Sequence, residues 1–367
     1  MSIPMQVIVA GAGRIGSLIS YLLAESGRYA VHLVDLNPRP QDLAEHAQLH
    51  FQQMDVSQTI ELTKFIKKIK AQAIISCLPY YCNLTLAHVA AETNLHYFDL
   101  TEDIMVREQI KKMTKKLPSM FVPGCGLAPG LINIIAQDLI SRFQQADEVK
   151  LRVGCLPLLT DNALRYALTW STEGIINEYG NPCQAIAEGK VVMGNPLEGL
   201  ESIFIDGNSY EAFNTSGGVG TLVDTYKGKV KNLNYKSIRY PGHCEKMKFL
   251  MQDLKLNENR VLLKQILEAV LPQVTEDVTI IYATVQGLKN GAIRQEMYSN
   301  KFYAQELFGR RWTSIQVITA TSACAVMDIL LTEQDPWQGF VPQEKIALEK
   351  LLNNPFGKLL NLDRKRI

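Results

Sequence analysis

Residues 5–35 read MQVIVAGAGRIGSLISYLLAESGRYAVHLVD, and they decide the fold. Met5 to Ala10 is a short apolar strand. The turn Gly11-Ala12-Gly13-Arg14-Ile15-Gly16 follows at once. Ser17 to Ala24 has helix-forming composition, and Tyr29 to Val34 is a second apolar strand that ends on Asp35. A strand, a glycine-rich turn, a helix, a strand and an acid form the order of a dinucleotide site. Gly11 allows the tight turn. Gly13 lets the backbone approach a pyrophosphate, and Gly16 lets the helix pack on the sheet. Arg14 and Ile15 complete the loop, and the helix N-terminus presents free N–H groups to the phosphates. Three glycines beside an apolar run often mark only a tight turn, but here the context matches at every step. Asp35 suits the ribose hydroxyls of NAD and repels the 2′-phosphate of NADP, so NAD is the expected cofactor.

Outward from this stretch, the alternation of strand and helix continues. Leu49 to Val56 is a weaker strand that ends at Asp55-Val56. An acid there lies near the adenine, with a turn-forming Asp as an equal alternative. Ser57 is placed to cap a helix running to Lys70. Ala73 to Leu78 (AIISCL) is a buried strand that Pro79 stops, and Asn83 to Ala91 is helical. His96 to Leu100 is a strand, Thr101 opens a helix through Lys116, and Ser119 to Pro123 is another strand. Six strands with helices between them predict a doubly wound parallel sheet. Ligands bind past the carboxyl ends of such strands, which marks Leu78-Pro79-Tyr80-Tyr81, with Cys77 just before it as a further cofactor contact, Asp99 to Asp103 and Gly124 to Gly130.

After about residue 145 the texture changes. Glu148 to Leu156 is a strand, Tyr166 to Ser171 a further candidate, and Glu173 to Tyr179 a helix capped by Ser171 or Thr172. Short strand-like pieces follow at Ala185 to Ala187, Lys190 to Met193, Ser202 to Ile205, Thr221 to Thr225, Lys236 to Tyr240 and Val278 to Val285. Strands in succession predict an α+β domain with a mixed or antiparallel sheet. Asn259 to Leu271 and Gln343 to Leu352 are helical, and the basic end Asp363 to Arg366 is a solvated terminus. The expected domains are 1–124, a Rossmann dinucleotide-binding domain; 125–312, an α+β substrate and dimerisation domain; and 313–367, helices that pack back on the first.

The 367-residue chain is 47% hydrophobic and 20% charged with a net charge of +1, an ordinary globular composition without the basic patch of a nucleic-acid or membrane-surface protein. Its longest apolar run, Thr313 to Leu331, holds Ser314, Gln316, Thr319, Thr321, Ser322 and Asp328, and so reads as a buried helix. The seven cysteines are odd in number and lack CxxC spacing, which fits reduced thiols in a cytoplasmic protein without a metal site. No basic region precedes the first strand, so no secretory signal is expected.

Seven stretches carry a family likeness: CLPYYCNL (77–84), YFDLTED (97–103), PGCGLAPGLINIIA (123–136), TWSTEGIINEYGNPC (169–183), EAFNTSGGVGTL (211–222), YKSIRYPGH (235–243) and GFVPQEKI (339–346). With them the chain resembles the saccharopine dehydrogenase family over essentially its whole length, and within it the L-lysine 6-dehydrogenase-like members. The resemblance implies a Rossmann domain, a second domain that binds substrate and forms a homodimer, and hydride transfer between nicotinamide and a carbon bearing an amine. Lysine 6-dehydrogenases oxidise the ε-carbon with NAD to give 2-aminoadipate semialdehyde. Saccharopine reductases act on a secondary amine and carry an Asp where this chain has Ala128, so Ala128 and Asp35 both point to the lysine side. Saccharopine or a carboxylated polyamine is the alternative substrate, and a non-catalytic dinucleotide sensor is the alternative class.

That chemistry needs a base, a cation for the substrate carboxylate and an acceptor for the amine. The resemblance singles out Arg239 for the carboxylate. His243 follows a Pro-Gly turn and is the candidate base. Asp99 or Glu102, past a strand end, faces the substrate amine, while Asp103 caps a helix. Glu173 begins a helix, where the dipole alone favours an acid, so a substrate role stands level with a structural one. Trp170 shapes the pocket or packs in the core, Cys125 lines the nicotinamide site without acting as a nucleophile, and Tyr80 or Tyr81 hydrogen-bonds substrate.

Overall fold

The computed structural model describes residues 3–43, 45–333 and 337–360, so the basic end Asp363 to Arg366 lies outside the described residues. Among the described residues the chain divides into two compact units, 3–130 with 318–360, and Leu131–Val317.

The first unit is built in chain order from β1 (Met5–Ala10), α1 (Arg14–Glu25), β2 (Tyr29–Asp35), β3 (Leu49–Gln53), α2 (Thr59–Ile69), β4 (Ala73–Ser76), α3 (Tyr80–Thr93), β5 (His96–Asp99), α4 (Ile104–Met113) and β6 (Met120–Val122). All strands pair in parallel in the order β6-β5-β4-β1-β2-β3, and a short seventh strand, Gly339–Phe340, adds beside β6. Burial on both faces explains the near-continuous apolar runs of β1 and β4. The strand order reverses between β1 and β4, which sets the ligand crevice at the ends of these two strands. The seventh strand was not expected, because two residues carry no periodicity.

Local hydrogen bonds move several element starts. Asp55 Oδ1 accepts the Ser57 N–H at 2.9 Å, so Ser57 belongs to a turn and α2 starts behind Gln58. Tyr80 and Tyr81 lie in the first turn of α3, with Pro79 at its cap, rather than in a loop. Asp99 Oδ1 takes the Thr101 N–H at 2.9 Å and holds that backbone out of the helix. α4 therefore opens at Ile104, and Asp103 accepts the Val106 N–H at 2.8 Å.

The second unit runs through α5 (Leu131–Ile140), β7 (Gln145–Pro157), α6 (Thr172–Gly180), β8 (Cys183–Ala187), β9 (Lys190–Gly194), β10 (Glu201–Ile205), β11 (Asn208–Asn214), α7 (Leu222–Tyr226), β12 (Asn232–Arg239), α8 (His243–Lys248), α9 (Arg260–Val270), β13 (Asp277–Lys289) and β14 (Ala292–Tyr303). Its eight-stranded mixed sheet has the order β10-β11-β12-β7-β13-β14, with β8 and β9 attached at β12. Only β12 and β7 pair in parallel within that path. The sequence reading missed β11 and β14; β14 is largely polar, as suits a strand with one exposed face. Tyr166 to Ser171 is not a strand. The Asn162 side chain takes both its first N–H and its first carbonyl, donating to Tyr166 O at 2.8 Å and accepting from Tyr166 N at 3.3 Å. Thr221 to Thr225 forms α7 rather than a strand, nucleated by the Gly217–Gly220 turn.

The apolar run forms α10 (Ser314–Thr332), long and apolar enough by length and composition to cross a membrane, with 78% of that apolar window buried within the protein. In the first unit its Asp328 accepts from Tyr29 Oη at 2.6 Å and Asn354 Nδ2 at 2.6 Å, and pairs with Arg28 at 2.8 Å.

Asp99 ties the ends of β5 and β6 together. Its Oδ1 accepts the Gly124 N–H at 2.8 Å as well as that of Thr101, and Tyr97 Oη donates to Oδ2 at 2.8 Å. Burial raises its pKa from 3.8 to about 6 against these donors. Because the folded value exceeds the unfolded one, this group's contribution is fully present below the unfolded value and is lost as pH rises through about 6. In Asp99→Asn, Oδ1 keeps both backbone donors and the titration disappears. The stability of the native protein relative to Asp99→Asn should therefore fall by about 2 kcal/mol between about pH 4 and pH 7, read from urea unfolding. A difference that does not change with pH would sink the assignment.

Candidate active site

The turn after β1 has the geometry its glycines imply. Gly11 has φ 105°, its N–H donates to Val34 O at 2.8 Å, and the Cys77 N–H closes the neighbouring strand on Ala10 O at 2.7 Å. A Cβ on Gly16 would lie 1.8 Å from the Gly11 carbonyl oxygen, so α1 cannot approach the turn with any larger residue. Gly13 is different. A Cβ there would meet no atom within 4 Å, and no side chain caps α1. The protein's own packing therefore leaves open the space in which a pyrophosphate approaches the backbone. Arg14 and Ile15, half-buried, start α1. Asp35 Oδ2 accepts the Ala12 N–H at 2.7 Å, and Oδ1 accepts from Asn37 N at 2.8 Å and Nδ2 at 3.1 Å. The carboxylate is thus locked beside the glycine turn, and this loop fits a dinucleotide.

Cys77 and Leu78 flank Gly11, at 3.0 and 3.1 Å from the Cβ position it lacks. Pro79 caps α3, and the Tyr80 ring meets Tyr81 edge-on at 5.7 Å. Asp55 is half-buried and organises the Ser57 turn, whose hydrogen bonds lower its pKa; Val56 packs on the core. Glu102 is half-buried. Asp99 holds backbone and is fully buried, so it is no open acid for an amine. Cys125 is also buried. Its thiol donates to Asp99 O at 3.1 Å, and burial pushes its pKa well up, which leaves it no nucleophile.

The second unit assembles its own cluster around Arg239, only 4% exposed at the end of β12. Its Nε donates to Tyr179 Oη at 2.7 Å and its Nη1 to Ile238 O at 2.8 Å. The guanidinium lies 5.2 Å from the Tyr166 ring centroid and 5.7 Å from that of Tyr179. Burial works against its charge, but Tyr179, Tyr166 and Glu178 outweigh that and raise its pKa. Among the described residues Arg239 has no ion pair, and its Nη2 is neither hydrogen-bonded nor among the buried unpartnered atoms. One edge of the fork is therefore open to an incoming acceptor.

His243 opens α8, held by Glu211, whose carboxylate accepts the flanking Gly242 and Cys244 N–H groups at 2.7 and 2.6 Å. It is 2% exposed, with Nδ1 2.8 Å from Leu164 O and Nε2 3.2 Å from Tyr179 Oη. Burial, then Arg239, lowers its pKa to about 3. With both nitrogens engaged and its basicity lowered, His243 is not poised in this structure as the general base expected of it. Glu173 pairs with Lys264 on α9, so its position has a structural cause. Trp170 donates from Nε1 to Tyr166 Oη at 3.3 Å and packs against Gly174.

Sequence reasoning missed Tyr166, Tyr179 and Glu178, which surround Arg239. Glu178 and Tyr179 lie in the TEGIINEYG helix, yet nothing in a helical run marks which face meets a distant strand. No group of three or more His, Cys, Asp or Glu among the described residues is able to hold a metal.

Residues 7–120 match the saccharopine dehydrogenase NADP binding domain, and residues 126–363 match the saccharopine dehydrogenase C-terminal domain. The fold is similar to apo saccharopine dehydrogenase (L-Glu forming) from Saccharomyces cerevisiae, at 15% identity and a TM-score of 0.74 over 92% of this chain and 94% of that one. The mitochondrial alpha-aminoadipic semialdehyde synthases of Mus musculus and Bos taurus are 23% and 22% identical over 200 residues, 52% of this chain. The chain spans 21% of the length of these relatives. By the two domain matches, which together take in most of its length, the chain belongs to the saccharopine dehydrogenase family.

Proposed function

We propose that this protein oxidises the C–N bond of a lysine-like amino acid with NAD, L-lysine to 2-aminoadipate semialdehyde being the leading reaction. The observation that carries this reading is Arg239: a buried guanidinium with no ion pair of its own and one open edge matches an amino-acid carboxylate. Glu178, buried and close enough to act on the Arg239 charge, adds the opposite charge that an ammonium group needs. NAD would supply the hydride acceptor for the carbon that bears the amine. The Gly11–Gly16 turn and Asp35 would hold it, and Arg239 would fix the substrate by its carboxylate end. Asp35 supports NAD: its locked carboxylate opposes a 2′-phosphate, although the matching domain is named for NADP. Family membership supports saccharopine, a secondary amine, as the second reading.

The test is absorbance at 340 nm with NAD or NADP and L-lysine, L-ornithine, saccharopine and carboxynorspermidine. Reduction with lysine and NAD is expected; turnover only with a larger secondary amine would move the assignment to the second reading. Arg239→Ala should raise KM for the amino acid by about 100-fold, near 3 kcal/mol, and leave the NADH Kd within about twofold. An unchanged KM would remove Arg239 from substrate binding. Asp35→Ser should lower kcat/KM with NAD by about tenfold and raise it with NADP. A native enzyme that prefers NADP would refute the Asp35 reading.

A further inference from the structure

Every hydrogen in the chain from Arg239 to Leu164 has one possible place. The Arg239 guanidinium only donates, so the Tyr179 oxygen accepts from Nε. The Leu164 carbonyl only accepts, so Nδ1 of His243 carries the imidazole proton. Nε2 is then bare in the neutral ring and accepts the Tyr179 hydroxyl hydrogen at 3.2 Å. The tautomer follows from the network. Aromatic rings flank the imidazole, which stacks with Phe213 at 6.2 Å between centroids and lies 5.1 Å from Tyr166.

We propose that His243 is a positioning residue for substrate binding: as a neutral imidazole it directs the Tyr179 hydroxyl, so that Tyr179 holds Arg239 by Nε and the open edge of the guanidinium faces the substrate carboxylate. The proposal rests on the reading of Arg239 as the carboxylate anchor. Without an acceptor at the Nε2 place, the Tyr179 hydrogen turns elsewhere and its lone pair leaves Arg239. The loss falls on substrate affinity and not on hydride transfer.

Two conservative variants separate this role from a structural one. The Asn amide nitrogen replaces Nδ1, and so keeps the link to Leu164. The Gln amide oxygen replaces Nε2, and so keeps the link to Tyr179. In His243→Gln, KM for L-lysine, or for saccharopine if that is the one turned over, should stay within about threefold of native. In His243→Asn it should rise by about tenfold, with kcat within about threefold and the NADH Kd unchanged. Rescue by Asn but not Gln, or equal KM values in the two variants, would overturn the proposal.

A second readout needs no substrate. With only six histidines, ¹⁵N-labelled imidazoles can be assigned through the signal lost in His243→Gln. His243 should be neutral at pH 6 with its proton on Nδ1, and its Nε2 resonance should move in Tyr179→Phe. A proton on Nε2, or an Nε2 resonance indifferent to Tyr179, would refute the hydrogen order. If Arg239→Ala leaves KM unchanged, the carboxylate reading fails, while the imidazole resonances still decide whether His243 holds Tyr179.

Discussion

A buried charge must find partners before a chain can close around it, and the second unit is organised by two such charges on neighbouring strands. Arg152 on β7 is 2% exposed and Arg239 on β12 is 4% exposed. Desolvating a guanidinium costs several kcal/mol, so each must recover that cost through hydrogen bonds. Arg152 does so with the Glu201 carboxylate and Asn234 Oδ1 at 2.8 Å, and Lys236 shares the same carboxylate. Its charge is spent on the fold. Arg239 recovers the cost with a phenol, a backbone carbonyl and two aromatic faces, none of which carries a negative charge. Among the described residues no ion pair neutralises its charge, although Glu178 lies near enough to act on it, in surroundings of low dielectric.

Buried carboxylates serve the opposite purpose, fixing backbone at the ends of elements. Asp99 gathers the N–H groups of Thr101 and Gly124, Glu211 those of Gly242 and Cys244, and Asp277 those of Ser314 and Ile315 at the start of α10. Asp35 does the same for Ala12 at the nucleotide turn. These acids are reached from residues far apart in sequence, 25 positions for Asp99 and Gly124 and 37 for Asp277 and Ser314. An acid past a strand end is thus ambiguous in a sequence. The same position suits a substrate amine and a pair of backbone donors, and for Asp99 the backbone took it.

That contrast explains what the sequence could tell. The first unit was legible because its requirements are local. Gly11, Gly16 and Asp35 act within one βαβ turn, and apolar strands buried on both faces announce themselves. Element starts were misplaced where a side chain outbid the helix or the ladder for a backbone group: Asp55 at Ser57, Asp99 at Thr101, and Asn162 at Tyr166. The Arg239 cluster was hardly legible. Arg239 was found through a family likeness, whereas Tyr166, Tyr179 and Glu178 were not found at all. Tyr179 and Arg239 lie 60 residues apart, and Tyr179 and His243 lie 64 apart. No periodicity encodes a contact at that range.

The choice of a phenol as the partner of Arg239 carries a further consequence. A carboxylate at that place would hold the guanidinium more tightly and would neutralise it, as Glu201 does for Arg152. A phenol has a hydrogen of its own, which must be given an acceptor or else compete for the ligand's oxygens. A neutral imidazole provides that acceptor without adding charge, and only if it is kept neutral. Burial and the nearby guanidinium keep it so. The conditions that lower the basicity of His243 are therefore those that suit it to hold Tyr179, and a neutral histidine beside Arg239 is explained without any proton transfer.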